Sequence, residues 1–219
     1  MIKTTKCLAL LAIVASILLR PAWADDEKLY FEPGVSISIP QDWKIWSPEH
    51  RDLVGQFGEQ GRIEVLGDES GIEANSIFLI ATDPANPTLS VRLSARLHGP
   101  DSILQSELQS MSPLEWFVIR LSLKSQMQSV QKSFVEYSHL VSSSEVISAE
   151  YVIQSGLHCW RTTVVTKYSI DMPDNQSTMQ MCPTETHNLK TTIAAPYPVS
   201  LADQQRMNEI WKSLEISAQ

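Results

Sequence analysis

The chain has 219 residues, 43% of them apolar and 19% charged, with a formal charge of −8. That is enough chain to bury a core without a metal or a dense disulfide framework. The acidic balance argues against a nucleic-acid partner, and 12 prolines, 8 glycines and no low-complexity tract exclude a fibrous or disordered chain.

Lys3 and Lys6 lead into an apolar run, Cys7 to Leu19, that Arg20 and Pro21 end. The run is short for a membrane span and right for the apolar region of a secretory signal. Ala22-Trp23-Ala24 then supplies a small-x-small cleavage pattern, at Ala22 and Ala24, before Asp25-Asp26-Glu27. The expectation is a cleaved signal over 1–24 and one exported globular domain over 25–219, periplasmic or secreted, with no stable membrane insertion. Losing Lys3, Lys6 and Arg20 takes the formal charge from −8 to −11.

Leu29 to Phe31 and Val35 to Ile39 read as short strands split by Pro33-Gly34, the second with its apolar residues on odd positions. Trp43 to Trp46 follows, and Pro48 stops it. Arg62 to Leu66 is a possible strand within a glycine-rich, charged stretch, and Asn75 to Ala81 is a second apolar run. Thr88 to Leu97 alternates strictly, with Leu89, Val91, Leu93, Ala95 and Leu97 on one face and Ser90, Arg92, Ser94 and Arg96 on the other.

After His98-Gly99-Pro100 the period changes to a helical one. Asp101 or Ser102 caps a short helix to about Gln109. Ser112, Pro113 and Glu115 then form a capping box for a long helix. Trp116, Ile119, Leu123, Met127, Val130, Phe134 and Tyr137 repeat on its inner face. Its first two turns also carry Leu114, Phe117, Val118 and Leu121, which predicts that another element covers them, the short preceding helix being the candidate.

Strands are expected again at about Val146–Gln154, Leu157–Ile170, Ser177–Thr184 and Asn188–Ala194, with turns at Ser155-Gly156, Asp171–Gln176 and near His187. Ser200 caps a last helix, Leu201 to Ser213, that turns Leu201, Met207, Ile210, Trp211 and Leu214 inward. The order predicts a single α+β domain: an antiparallel sheet ending in a four-stranded meander, covered by helices.

The opening "ISIPQDWKIW" and the closing "EIWKSLEI", with strands, helix, meander and final helix between them, resemble the PsbP-like superfamily. That group includes the extrinsic PsbP subunit of photosystem II and bacterial DcrB-type envelope proteins. The resemblance spans about residues 30 to 216 and implies an α/β/α sandwich with a binding or assembly role. It carries no catalytic residues across. Two departures stand out: the chain lacks a lipid-attachment cysteine like that of the DcrB type, and the pair Cys159/Cys182 is foreign to the pattern.

In an exported chain Cys159 and Cys182 read as a disulfide. Cys159 alternates with Arg161, Thr163 and Lys167, and Cys182 with Thr178 and Gln180, which predicts a bridge near the surface. A hairpin turning at Asp171–Gln176 does not bring 159 opposite 182 without a bulge.

Other residues invite chemistry and do not assemble it. His158 and Cys159 are neighbours on a strand and point to opposite faces, so they make no dyad. The same alternation breaks a zinc set of Cys159, Cys182, His158 and His187. Glu59, Glu64, Asp68 and Glu69 lack calcium-loop spacing. Asn175-Gln176-Ser177 is a formal glycosylation sequon that reads here as a turn. Trp43, Trp46, Trp160 and Trp211 are candidates to line a small-molecule pocket, against the commoner role of tryptophan in the core.

Glu49-His50-Arg51-Asp52 reads as a charged loop. No GxSxG, HExxH, phosphate-loop or dinucleotide motif occurs. The expected function is a non-enzymatic binding or assembly domain acting on another envelope or secreted protein, with no cofactor and no metal. The alternatives are a small exported hydrolase using acidic residues between Glu49 and Glu73, Asp52 and Glu64 included, and a small-molecule binder lined by the tryptophans.

Overall fold

A computed structural model describes residues 26–31, 34–56, 76–98, 103–137 and 140–217, except the side chains of Phe134 and Tyr137. The signal and its cleavage site at Ala22 and Ala24, the strand expected at Arg62–Leu66 and the acids Glu59, Glu64, Asp68, Glu69 and Glu73 lie outside them. The elements are β1 (Asp26–Phe31), β2 (Val35–Pro40), β3 (Lys44–Ile45), α1 (48–56), β4 (Ser76–Thr82), β5 (Ser90–Leu97), α2 (Gln105–Ser110) and α3 (Pro113–Tyr137). They continue with β6 (Val141–Gln154), β7 (Leu157–Tyr168), β8 (Asn175–Pro183), β9 (His187–Pro196), α4 (Leu201–Ser213) and β10 (Glu215–Ile216). The residues expected to be a charged loop, Glu49 to Asp52, are instead helical. Pro48 opens α1 at the first helical position, where its missing N–H costs nothing, and the Ser47 carbonyl accepts the Arg51 N–H at 3.1 Å.

Seven strands form one antiparallel sheet in the order β3-β4-β5-β9-β8-β7-β6, and β1, β2 and β10 form a second. The helices α2 and α3 carry the chain from β5 to the far edge. The meander β6 to β9 then walks back until β9 pairs with β5. Short turns allow this: at Ser155-Gly156 both residues have positive φ, 52° and 81°, as a two-residue hairpin loop requires.

The core lies between the two sheets. From β2 it takes Val35, Ile37 and Ile39, and from the large sheet Leu79, Val91, Leu93, Leu189 and Ile193. α4 closes it with Met207, Ile210 and Trp211, and Leu214 follows. Leu201, expected inside, is exposed, because it precedes the turn that meets the sheet. α3 packs on the other face of the large sheet, against β6.

Two further expectations about burial fail for physical reasons. Cys159 and Cys182 form a disulfide with Cα atoms 4.4 Å apart, and both are fully buried rather than near the surface. The polar face-mates next to the bridge partner each other: Arg161 donates to Gln180 Oε1 from Nε at 3.0 Å and from Nη2 at 2.6 Å, and lies 4.7 Å over the Trp211 ring. No bulge is needed between β7 and β8, since β8 begins at Asn175, two residues earlier than expected. The pairs from Thr166–Asn175 to Trp160–Met181 then place 159 beside 182. The Cα separation is that of a non-hydrogen-bonded antiparallel pair.

The second failure is on α3. Leu114, Phe117, Val118 and Leu121 are 71, 58, 56 and 67% exposed, so α2 does not cover them. Val130, expected inside, is exposed as well, whereas Leu123 is buried. α2 begins at Gln105, where the Glu107 carboxylate accepts the Leu104 N–H at 2.9 Å; Asp101 and Ser102 lie outside the described residues.

Candidate functional site

The junction of α2, α3, β6 and β7 brings side chains together around a cavity of about 440 Å³. Two polar ties set α2 in place. Gln105, buried beside β7, accepts the His158 N–H at 2.6 Å and donates to the Pro183 carbonyl at 3.1 Å. The Ser106 N–H and hydroxyl donate to the two oxygens of Glu185, at 2.9 and 3.1 Å.

α3 then starts at a fixed point. Ser112 accepts the Glu115 N–H at 3.3 Å, and the Glu115 carboxylate accepts the Ser112 N–H at 2.7 Å. The Ser112 hydroxyl and N–H hold the Glu115 carboxyl below the usual range. The capping box read from the sequence is thus the device that aims the first turns of α3.

Those turns face Tyr151 on β6 and His158 on β7. Trp116 lies 4.2 Å from the Tyr151 ring and 5.4 Å from the His158 ring, centroid to centroid, stacked on the latter. The Tyr151 hydroxyl is hydrogen-bonded to His158 Nδ1, and Arg120 sits 5.2 Å above the Tyr151 ring. Burial pushes the Tyr151 phenol up, against the opposing pull of Arg120, so the hydroxyl stays protonated at neutral pH. Met111, Pro113 and Phe117 complete the wall. The result is an aromatic cleft with one guanidinium at its rim, continuous through Phe117 with the exposed apolar strip of α3. Such a surface suits an apolar side chain with an anionic or hydrogen-bond-accepting group beside it.

The four tryptophans named from the sequence do not share a pocket. Trp43 is buried in the core and Trp211 is buried under Arg161. Trp46 donates from Nε1 to Thr82 Oγ1 at 3.3 Å, beside His50. Trp160 lies on the Tyr151 side of the sheet, directly opposite Tyr151 in the β6–β7 ladder.

His158 and Cys159 occupy opposite faces, the first in the cleft and the second in the core. Glu49, His50 and Asp52 sit on or near the surface of α1, where His50 Nδ1 is 2.9 Å from Ser47 Oγ. Among the described residues no three His, Cys, Asp or Glu side chains group as a metal site, and no helix is long and apolar enough to cross a membrane. The residues missed by sequence reading are Arg120 and Tyr151, and Trp116 as part of a cleft. Their signal was the all-round apolarity of 114–121, which marks a helix end with more apolar surface than one sheet can take.

No protein-family model matches the sequence, and no curated protein matches it. Solved structures do. The solution structure of cyanobacterial PsbP (CyanoP) from Synechocystis sp. PCC 6803 superposes with a TM-score of 0.51 at 8% identity, covering 89% of this chain and 94% of that one. LpqN, described as involved in cell envelope biogenesis of Mycobacterium tuberculosis, matches at a TM-score of 0.40 and 11% identity, over 88% of this chain and 91% of its own. At such identity the likeness is one of fold.

Proposed function

We propose that this PsbP-like fold serves as an exported, soluble, non-enzymatic domain that docks another envelope or secreted protein on α3. One observation carries the reading. Leu114, Phe117, Val118 and Leu121 fall at i, i+3, i+4 and i+7 on one stripe of α3, and all four are more than half exposed. A contiguous apolar stripe of this kind marks an interaction surface more often than an accident of folding. The partner that fits is an apolar segment, anchored by an aromatic or aliphatic side chain in the Trp116–Tyr151 cleft. An acidic group on it would meet Arg120, a local cation on an acidic chain. Export is supported by the signal pattern over 1–24.

The test is site-directed photo-cross-linking from position 118 of the tagged full chain in its own host. The expected result is one stoichiometric adduct that is lost in Phe117→Glu and Leu121→Glu but kept in Leu201→Glu, a change at an exposed apolar residue on α4. An adduct insensitive to the stripe changes, or adducts to lipid alone, would overturn the docking reading. Intact mass of the purified chain tests export, which requires cleavage after Ala24.

A further inference from the structure

The face of the large sheet that carries Tyr151 also carries two cations side by side. In the β5–β9 ladder Arg92 stands directly opposite Thr192, and Lys190 directly opposite Ser94, so all four share that face. Each row runs on into apolar side chains. Lys190 meets Met181, which meets Trp160. Thr192 meets Met179, and Arg92 meets Ile80 on β4. Arg92, Lys190, Met179, Met181 and Trp160 are all partly open to solvent, so the surface is accessible.

The fold partners its other inward cations. Arg161 is held by Gln180 and Trp211, and Arg206 by Asp83. The side chains of Arg92 and Lys190 have neither an ion pair nor a hydrogen bond among the described residues. Beside them Thr192 Oγ1 is buried with no hydrogen-bond partner among the described residues. Two adjacent cations and an unsatisfied hydroxyl are costly in a half-buried setting unless an anion joins them. That cost shows in Lys190, whose ammonium is pushed down to about 8 by burial and by Arg92.

We infer that Arg92, Lys190 and Thr192 form a binding site for an oxyanion, the carboxylate or phosphate head of a small ligand whose apolar body lies along Met181 and Trp160. The guanidinium supplies a two-pronged donor, the ammonium a point charge and the hydroxyl a third donor. The methionines accommodate an apolar chain of variable shape. Its charged residues lie on β5 and β9, whereas the docking cleft is built from α3, β6 and β7, so the two readings rest on different side chains.

Calorimetric titration of residues 25–219 with octanoate, octyl phosphate and inorganic phosphate tests it. One of the two octyl probes should bind at least tenfold more tightly than inorganic phosphate, and which one does identifies the head group. Lys190→Met and Arg92→Met should each weaken that binding tenfold or more, and Leu201→Glu should leave it unchanged. Equal affinity for octyl and inorganic phosphate overturns the apolar half of the site. Absence of binding by all three probes, or binding unaltered in both variants, overturns the whole. Without ligand, Lys190→Met should melt no lower than the parent. A lower melting temperature would mean that the chain's own groups already partner Lys190, and would also overturn the inference.

Discussion

Arg206 Nη1 lies 2.6 Å from Asp83 Oδ2, joining α4 to the end of β4. Asp83 is almost fully buried, and its other oxygen accepts the Ala85 N–H at 2.8 Å, so one carboxylate fixes both a helix and a turn. Asp83→Ala should cost about 3 kcal/mol, the usual penalty for removing one member of a buried pair. Urea unfolding of Asp83→Ala, Arg206→Ala and the double variant gives the coupling. A loss below about 1 kcal/mol would place the pair with ordinary surface bridges.

The Cys159–Cys182 bridge closes a loop with a sequence separation of 23 and lies wholly in the core. Its removal as Cys159→Ala/Cys182→Ala should cost about 3 kcal/mol by chain entropy alone. Because both sulfurs are buried, a mild reductant should leave the native bridge intact and cleave it only once the chain is unfolded in denaturant. Thiol labelling with time under both conditions checks this. Rapid reduction of the native chain would contradict the burial.

Gly156 has a φ of 81°, and a Cβ there would meet nothing within 4 Å among the described residues. Gly156→Ala should therefore lose only the backbone term, about 1 kcal/mol. The denaturation midpoint against the parent measures it. A loss above about 3 kcal/mol would reveal a contact that the turn does not contain.

Lys190 binds its proton less tightly folded, at about 8, than its ordinary value of 10.5. Between those values the unfolded chain holds more protons than the folded one, so this group makes stability rise as pH rises from about 8 towards 10.5. Lys28 acts in the opposite sense, since its hydrogen bond to Glu215 raises it. The difference between the parent and Lys190→Met isolates the term. The stability gap should narrow between pH 7.5 and pH 10 if the methionine variant is the more stable at neutral pH, and a gap constant with pH would refute the assignment.

Much of the fold was legible because its strands obey simple alternation. Thr88 to Leu97 places Leu89, Val91, Leu93 and Ala95 in the core as its pattern demands, and Ser200 caps α4 by accepting the Asp203 N–H at 3.1 Å. Alternation misled at the cysteines because the face they share with Arg161, Thr178 and Gln180, polar in sequence, is the one that packs on the core. On such a face a polar residue can sit inside when it has a partner, as Arg161, Thr178 and Gln180 do. The pairing of Cys159 with Cys182 was legible, but the register that sets them opposite each other without a bulge was not, because β8 begins at Asn175, within the stretch read as a turn. The cleft was hidden for another reason. Trp116, Tyr151 and His158 come from three elements, and only the docking of α2 through Gln105 and Glu185 sets their relative position.

The place of β2 has a consequence for the order in which the chain can fold. β2 lies between β1 and β10, and the Ser38 N–H donates to Ser213 Oγ, 175 positions away, at 2.9 Å. One of the earliest strands of the domain therefore waits for nearly the last residues before its second edge is filled. Closing so long a loop is entropically slow, and until then Val35, Ile37 and Ile39 lack the apolar cover of Ile210 and Leu214. A chain emerging from its N-terminal end cannot complete this domain piecemeal; its final step has to follow the delivery of α4 and β10.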